Sequence, residues 1–206
     1  VTAADLGNEV SALNAGVAFE YGRGTEIDFF RAFKYYEMAA GKNVVRAMHN
    51  LGAFYFNGQG VEKDSSQAFK WYLAAANQGS WLSSYCLARM YEDGDREVDT
   101  SSRPLAMASV WFLIAESQLN SPNDQISEKT SSISRELSAE EKEETMRILE
   151  IFSEKGFHWS QKILSVKYVD GVFCDVNPSR AEKWKAAAVI SEVEATELLR
   201  SQEGMD

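Results

Sequence analysis

The chain repeats itself, and a fixed period restricts it to an array of stacked, similar units. The run Ala47-x-x-x-Leu51-Gly52-x-x-Tyr55-x-x-Gly58-x-Gly60-Val61-x-x-Asp64-x-x-x-Ala68-x-x-Trp71-Tyr72-x-x-Ala75-Ala76-x-x-Gly79 has counterparts on both sides. Thirty-six residues upstream, Gly16, Phe19, Gly22, Gly24, Asp28, Ala32, Tyr35, Tyr36, Ala39 and Ala40 fall in the same register. A third copy keeps the spacing through Leu87, Ala88, Tyr91 and Gly94, gains four residues, and resumes at Ala108, Trp111, Phe112 and Ala115. That loop is the weakest part of the array. A fourth copy, 113 residues beyond the second, places Leu164, Tyr168, Gly171, Asn177, Ala181, Trp184 and Ala188 on Leu51, Tyr55, Gly58, Asp64, Ala68, Trp71 and Ala75.

Each copy reads as a helical hairpin, because apolar and small residues recur at spacings of three and four on either side of a glycine pair. On the first helix, Ala47, Leu51, Gly52 and Tyr55 form one stripe in which small residues admit a neighbouring backbone. On the second, Ala68, Trp71, Tyr72, Ala75 and Ala76 do the same. Gly58 and Gly60 suit the left-handed backbone that ends one helix and turns the chain. Asp64 is the N-cap of the next helix, with Gln67 completing a capping box, and Asn177-Pro178 repeats the device in copy four. Phe173 stands where that copy needs its second glycine, so its loop bends differently.

The predicted architecture is all-α, a single α-solenoid over residues 1–206. Its repeats run at about 11–46, 47–82, 83–118 and 157–192, with inserted helices at about 121–156. In the insertion, Ile126 to Leu137 forms a short helix, and the capping box Ser138-Ala139-Glu140-Glu141 opens a longer one to about Lys155. Ser191 to Glu194 repeats that pattern ahead of a capping helix at about 192–202, whose Ala195, Leu198 and Leu199 shield the last hairpin.

The repeat residues resemble the Sel-one-like repeat family, tetratricopeptide-like α-solenoids with this A-x-x-x-L-G-x-x-Y-x-x-G-x-G-V-x-x-D-x-x-x-A-x-x-W-Y-x-x-A-A signature. Copy two matches it nearly throughout, copy one has Tyr35 in place of the tryptophan, and copies three and four are degenerate. The resemblance implies a right-handed superhelix serving as an adaptor, and it implies no activity. Extra helices after a degraded third copy also occur in bacterial relatives, which favours the family's bacterial branch. Some relatives carry a disulfide in every hairpin. Here Cys86 and Cys174 lie in non-adjacent hairpins, too far apart for a bond that needs Cα atoms within about 7 Å. Cys86 is expected to be an inert small hydrophobe and Cys174 a free thiol.

Chemistry-bearing motifs are missing from the sequence. His49 and His158 are its two histidines, without metal-ligand spacing, and no nucleophile elbow, phosphate loop or dinucleotide fingerprint appears. Glu140, Glu141, Glu143 and Glu144 read as a solvated helix start favourable to the helix dipole. The chain is therefore expected not to be an enzyme and to need no cofactor or metal. A net charge of −10 excludes the clustered lysine and arginine of a nucleic-acid binder and favours a basic protein partner. No apolar run approaches the roughly 20 residues of a membrane span, and the expected state is a monomer. The opening Val1-Thr2-Ala3-Ala4 carries no leader pattern, consistent with a processed or trimmed form, so cytoplasm and periplasm both stay open.

In tetratricopeptide-like stacks the first helix of each hairpin lines the concave face. Positions offset from the core stripe are Val10, Leu13, Val17, Glu20 and Tyr21 in copy one, and Arg46, His49, Ala53, Phe56 and Asn57 in copy two. Copy three supplies Leu82, Tyr85, Arg89, Glu92 and Asp93, and copy four Trp159, Lys162, Val166, Val169 and Asp170. The candidate partner-binding set drawn from them is Tyr21, Arg46, His49, Phe56, Asn57, Tyr85, Arg89, Glu92 and Lys162, with Phe56, Tyr85, Arg46 and Arg89 as anchors. Aromatic residues and arginine carry most interface energy. The leading functional expectation is a non-enzymatic scaffold that holds a peptide or protein there. An immunity or inhibitor protein against a bacterial toxin or effector is the alternative, and a cell-envelope hydrolase a third.

Overall fold

Small residues at helical spacing let helices approach closely, and this chain spends them on pairing one hairpin with the next. The computed structural model describes residues 9–94, 103–119, 121 and 123–189. The helices are α1 Glu9–Tyr21, α2 Phe29–Ala40, α3 Val45–Asn57, α4 Ser65–Asn77, α5 Trp81–Glu92, α6 Pro104–Ser117, α7 Asp124–Glu136, α8 Ala139–Glu154 and α9 His158–Asp170. A tenth, α10, runs over 178–189, and no strand occurs among the described residues. The described residues are all-helical, as the period predicts, and α7 and α8 fall in the stretch read as an insertion.

The helices sort into two compact units, residues 1–101 and 102–206, which divide between the two helices of the third copy. In the first unit, consecutive helices α1 to α5 pack pairwise down the chain. Ala12, Ala32, Ala39, Ala47, Leu51, Ala68, Ala75, Leu87 and Ala88 are completely buried. Between hairpins the contact is aromatic and itself periodic. Phe33 of α2 meets Tyr55 of α3 edge-on with centroids 5.4 Å apart, and Phe69 of α4 meets Tyr91 of α5 in the same way at 6.0 Å. Leu13, counted above as a groove residue, is instead buried in this core, because the α1–α2 packing stripe is wider than the signature alone indicates.

The helix ends follow their capping chemistry. Asp28 accepts from the Arg31 amide and Asp64 from the Gln67 amide at 2.9 and 2.8 Å. Gly58 and Gly60 have φ of 70° and 67°. Ser138 and Glu141 form the full reciprocal box at the start of α8. Asn177 accepts from the Arg180 amide at 3.0 Å. In that same loop Gly171 has φ 66° while Phe173 points into the interior, 4% exposed, so the turn does bend differently from its counterparts.

In the second unit α6 is apolar nearly all round, with Ala106 and the run Ala108 to Ala115 buried, and α7, α8 and α9 pack against it. Trp111 of α6 reaches Phe152 of α8, which stacks on Phe157 at 5.2 Å. Cys86 and Cys174 are free thiols. Among the described residues no helix is long and apolar enough to cross a membrane, and no cluster of metal-ligating side chains occurs. The expected terminal helix at 192–202, with Ala195, Leu198 and Leu199, lies outside the described residues.

Candidate functional site

The face formed by α1, α3 and α5 is organised by a rung that occurs in copy one and again in copy two. In copy one the ring of Tyr36, from α2, lies against Gly16 of α1, so close that a Cβ there would sit 2.5 Å from it. The ring is completely buried, and its hydroxyl donates to the Glu20 carboxylate of α1 and also hydrogen-bonds Asn50 of α3. In copy two Tyr72 lies against Gly52, and its hydroxyl hydrogen-bonds Cys86, which holds the position of Asn50 one repeat later. Burial first, followed by Glu20 for Tyr36 and by Cys86 for Tyr72, holds both phenols well above their ordinary range, and the Asn50 bond opposes this at Tyr36. Burial likewise raises the Cys86 thiol, which keeps it protonated and unreactive.

The sequence-derived residues stand on and around these rungs. Tyr21, 60% exposed at the end of α1, hydrogen-bonds the same Glu20, and the Arg23 guanidinium lies 5.4 Å from its ring centroid. Exposed Arg46, in the first turn of α3, acts electrostatically on both Tyr21 and His49. The structure therefore brings Tyr21, Arg46 and His49 into one electrostatic neighbourhood. His49 is a joint between helices: its Nδ1 lies 2.9 Å from the Ser83 hydroxyl of α5, and its ring centroid 5.5 Å from that of Tyr72. Burial first, and the Arg46 charge second, push its pKa below the ordinary 6.5, so it is neutral at pH 7.

The other residues stay within their own repeats. Phe56 is half-buried at the end of α3 with the Lys63 ammonium 5.6 Å from its ring centroid, and the exposed Asn57 amide contacts Gln59 at 3.5 Å. Tyr85 is half-buried on α5. Arg89 closes onto its own helix end, donating to Glu92 at 2.9 Å and to Asp93 at 3.3 Å. Arg89 and Glu92 thus bond each other, which leaves Arg46 and Lys162 the cations of this set without an ion pair among the described residues. Lys162 belongs to the second unit. It is exposed on α9, beside a 160 Å³ cavity that it lines with His158, Trp159 and Ala188.

Two contacts behind this face escaped the sequence reading. Tyr36 is core, completely buried, and its hydroxyl is satisfied by Glu20; the signal was available, since a buried tyrosine needs a partner and Glu20 sits one turn beyond Gly16. Ser83, completely buried, is what holds His49. Its hydroxyl also lies 3.0 Å from that of Ser80, the cap of α5, which ties the joint to a helix start.

Comparison with known proteins agrees with the repeat geometry. The family model "Sel1 repeat" matches residues 10–44 and 45–80. The chain is 36% identical over 112 residues to the ERAD-associated E3 ubiquitin-protein ligase component HRD3B of Arabidopsis thaliana, covering 53% of this chain and 15% of that protein. It is 50% identical over 50 residues to the corresponding component HRD3A, covering 24% of this chain and 7% of that one. The chain therefore spans only a small part of the curated relatives it matches. Among solved structures, c5321, a protective antigen of uropathogenic Escherichia coli strains displaying an SLR fold, aligns with TM-score 0.58 and 22% identity. The alignment covers 90% of this chain and 38% of that one. A Sel1 repeat protein from Oxalobacter formigenes aligns with TM-score 0.57 and 19% identity over 93% of this chain and 76% of its own. At these identities the structures speak for the fold. Matches to both plant and bacterial proteins assign the chain to no branch of the family.

Proposed function

We propose that this chain, a Sel1-like repeat protein, works as a non-enzymatic scaffold that holds a peptide or protein partner on the α1–α3–α5 face. The observation that carries the reading is the rung itself. Gly16–Tyr36 and Gly52–Tyr72 lock first and second helices together at fixed spacing, while Tyr21, Arg46 and Phe56 stand outside the locked layer. A rigid backbone presenting aromatic rings and a guanidinium without an ion pair among the described residues loses little freedom on binding, which is what a recognition surface needs. Arg46 and Tyr21 replace Arg89 as the preferred anchors, since Arg89 is already engaged by two carboxylates. The acidic chain favours a partner with basic character.

The test is affinity capture from a native lysate with the wild type and with a Tyr21→Ala, Arg46→Ala, Phe56→Ala variant whose helicity and melting are unchanged. Partners lost only from the variant support the face, and their identity separates an adaptor from an inhibitor of a toxin or effector. Identical partner sets with both proteins would remove this face from consideration.

A further inference from the structure

The second unit carries a cleft that the repeat pattern does not explain. It encloses about 530 Å³, within the range of ligand pockets, between α8, the turn after α9 and the start of α10. Met146 and Phe173, each 4% exposed, give it apolar walls. Glu143, Glu150, Asp175 and Arg180 bring charge to it.

A guanidinium already sits in it. Arg180 Nη1 donates to the Tyr168 hydroxyl at 2.9 Å and lies 3.4 Å from Glu150 Oε1. Its Cζ is 5.5 Å from the Tyr168 ring centroid. The Tyr168 hydroxyl donates to Glu150 Oε1 at 2.5 Å. An aromatic ring, a phenol oxygen and a carboxylate around one planar cation are the elements that recognise arginine.

Two comparisons sharpen the meaning. Phe19 and Arg31 occupy the equivalent positions in copy one and show the same ring–guanidinium approach, 5.4 Å, but Arg31 is paired there with Asp28 of its own turn. In copy four, by contrast, a neighbouring helix, α8, adds the carboxylate Glu150 that completes a receptor. The charges also do not balance. Arg147 is held by Glu144 through two bonds of 2.9 and 2.6 Å, and Arg180 by Glu150, while Glu143 and Asp175 have no cation among the described residues. A cleft with surplus negative charge takes a cation.

We propose that this cleft receives an arginine side chain of a basic protein partner, and that Arg180 is the resident guanidinium it displaces. The Arg180 side chain is 57% exposed, so it swings into solvent without disturbing the core. The incoming guanidinium then stacks on Tyr168, pairs with Glu150, and is drawn in by Glu143 and Asp175. The inference rests on the scaffold reading for its assumption that the partner is a protein, and it assigns the second unit its own ligand chemistry.

The probe is acetyl-arginine methylamide, titrated into the ¹⁵N-labelled full chain, with acetyl-citrulline methylamide as the neutral isostere. Saturable amide shifts confined to α8, the 171–177 turn and the start of α10 are expected with arginine and not with citrulline. Arg180→Ala removes the resident cation and is expected to tighten binding several-fold. Glu150→Gln is expected to weaken it about tenfold, the effect of one charge-assisted hydrogen bond. Asp175→Asn, on the exposed turn, weakens binding without touching the Tyr168 network, and covers the case in which Glu150→Gln alters α8. Absence of saturation with Arg180→Ala, equal response to citrulline, or selective response to phosphate would each overturn the proposal. Because the probe is a small molecule, the cleft stands or falls independently of whether variants on the α1–α3–α5 face lose a partner.

Discussion

The ring of Tyr72 occupies the space that a side chain on Gly52 would need: a Cβ there falls 2.6 Å from its Cδ1 and 2.7 Å from its Cε1. Thirty-six residues earlier Tyr36 and Gly16 repeat the arrangement. The sign of a substitution follows from comparing two magnitudes. An alanine in a helix interior gains about 1 kcal/mol over glycine, whereas overpacking a buried contact costs roughly 1–3 kcal/mol. Tyr72 is 4% exposed and has nowhere to move. Gly52→Ala is therefore expected to lower the melting temperature by several degrees, with Gly16→Ala alike. A rise in melting temperature for both would show that the rings yield and that the rung is not rigid.

Gly60 and Gly24 share a left-handed backbone, with φ of 67° and 76°, and differ in surroundings. A Cβ on Gly60 would overlap the Phe29 carbonyl at the start of α2, whereas a Cβ on Gly24 meets nothing within 4 Å. Gly24→Ala should cost only the backbone strain, about 1–2 kcal/mol. Gly60→Ala should cost clearly more, because the loop of copy two must lift from α2. Urea unfolding midpoints of the two variants measured side by side decide this, and equal losses would contradict the packing of that loop on the preceding hairpin.

The hairpins were legible because their determinants are local and periodic. Gly16 and Gly52, Tyr36 and Tyr72, and the caps Asp28 and Asp64 each recur at 36 residues, and helix pairing follows from spacing alone. Ser138 and Glu141 announce α8 from four consecutive residues. The side-chain ends were not legible. His49 finds Ser83 across 34 residues, in the next hairpin, and nothing in the signature encodes that contact. Arg89 reads as a free anchor until the helix ends and Asp93 comes within its reach. Glu150 belongs to an inserted helix outside the period, so its meeting with Tyr168 and Arg180 has no counterpart from which to be inferred.

His49 gives the folded state a pH dependence with a definite sign. Burial and Arg46 depress its pKa below 6.5, so between the folded and the ordinary value the unfolded chain binds the proton and the folded chain does not. The contribution is intact above about 6.5 and is lost as pH falls from there towards the folded pKa. Wild type is expected to lose stability between pH 7.5 and 5.5 more steeply than His49→Asn. Arg46→Ala removes the second cause and should give an intermediate slope. Parallel slopes for wild type and His49→Asn, in urea unfolding across that range, would mean that His49 titrates normally.

The aromatic contacts between hairpins should carry coupling that area alone does not. Phe33 and Tyr55 meet at 84° and Phe69 and Tyr91 at 83°, so the same edge-on pair joins copy one to two and copy two to three. Phe33 is 4% exposed, and its truncation to alanine is expected to cost roughly 3–5 kcal/mol. Most of that is burial and cavity, and a double-mutant cycle with Tyr55→Ala should isolate about 0.5–1.5 kcal/mol for the ring pair itself. Phe69 is only half-buried, so Phe69→Ala should cost less overall while its cycle with Tyr91→Ala returns a similar coupling. That combination, unequal single losses with equal couplings, is what a repeated interface geometry produces. Couplings near zero at both pairs would mean that the hairpins are held by their small-residue stripes and that the rings merely fill space.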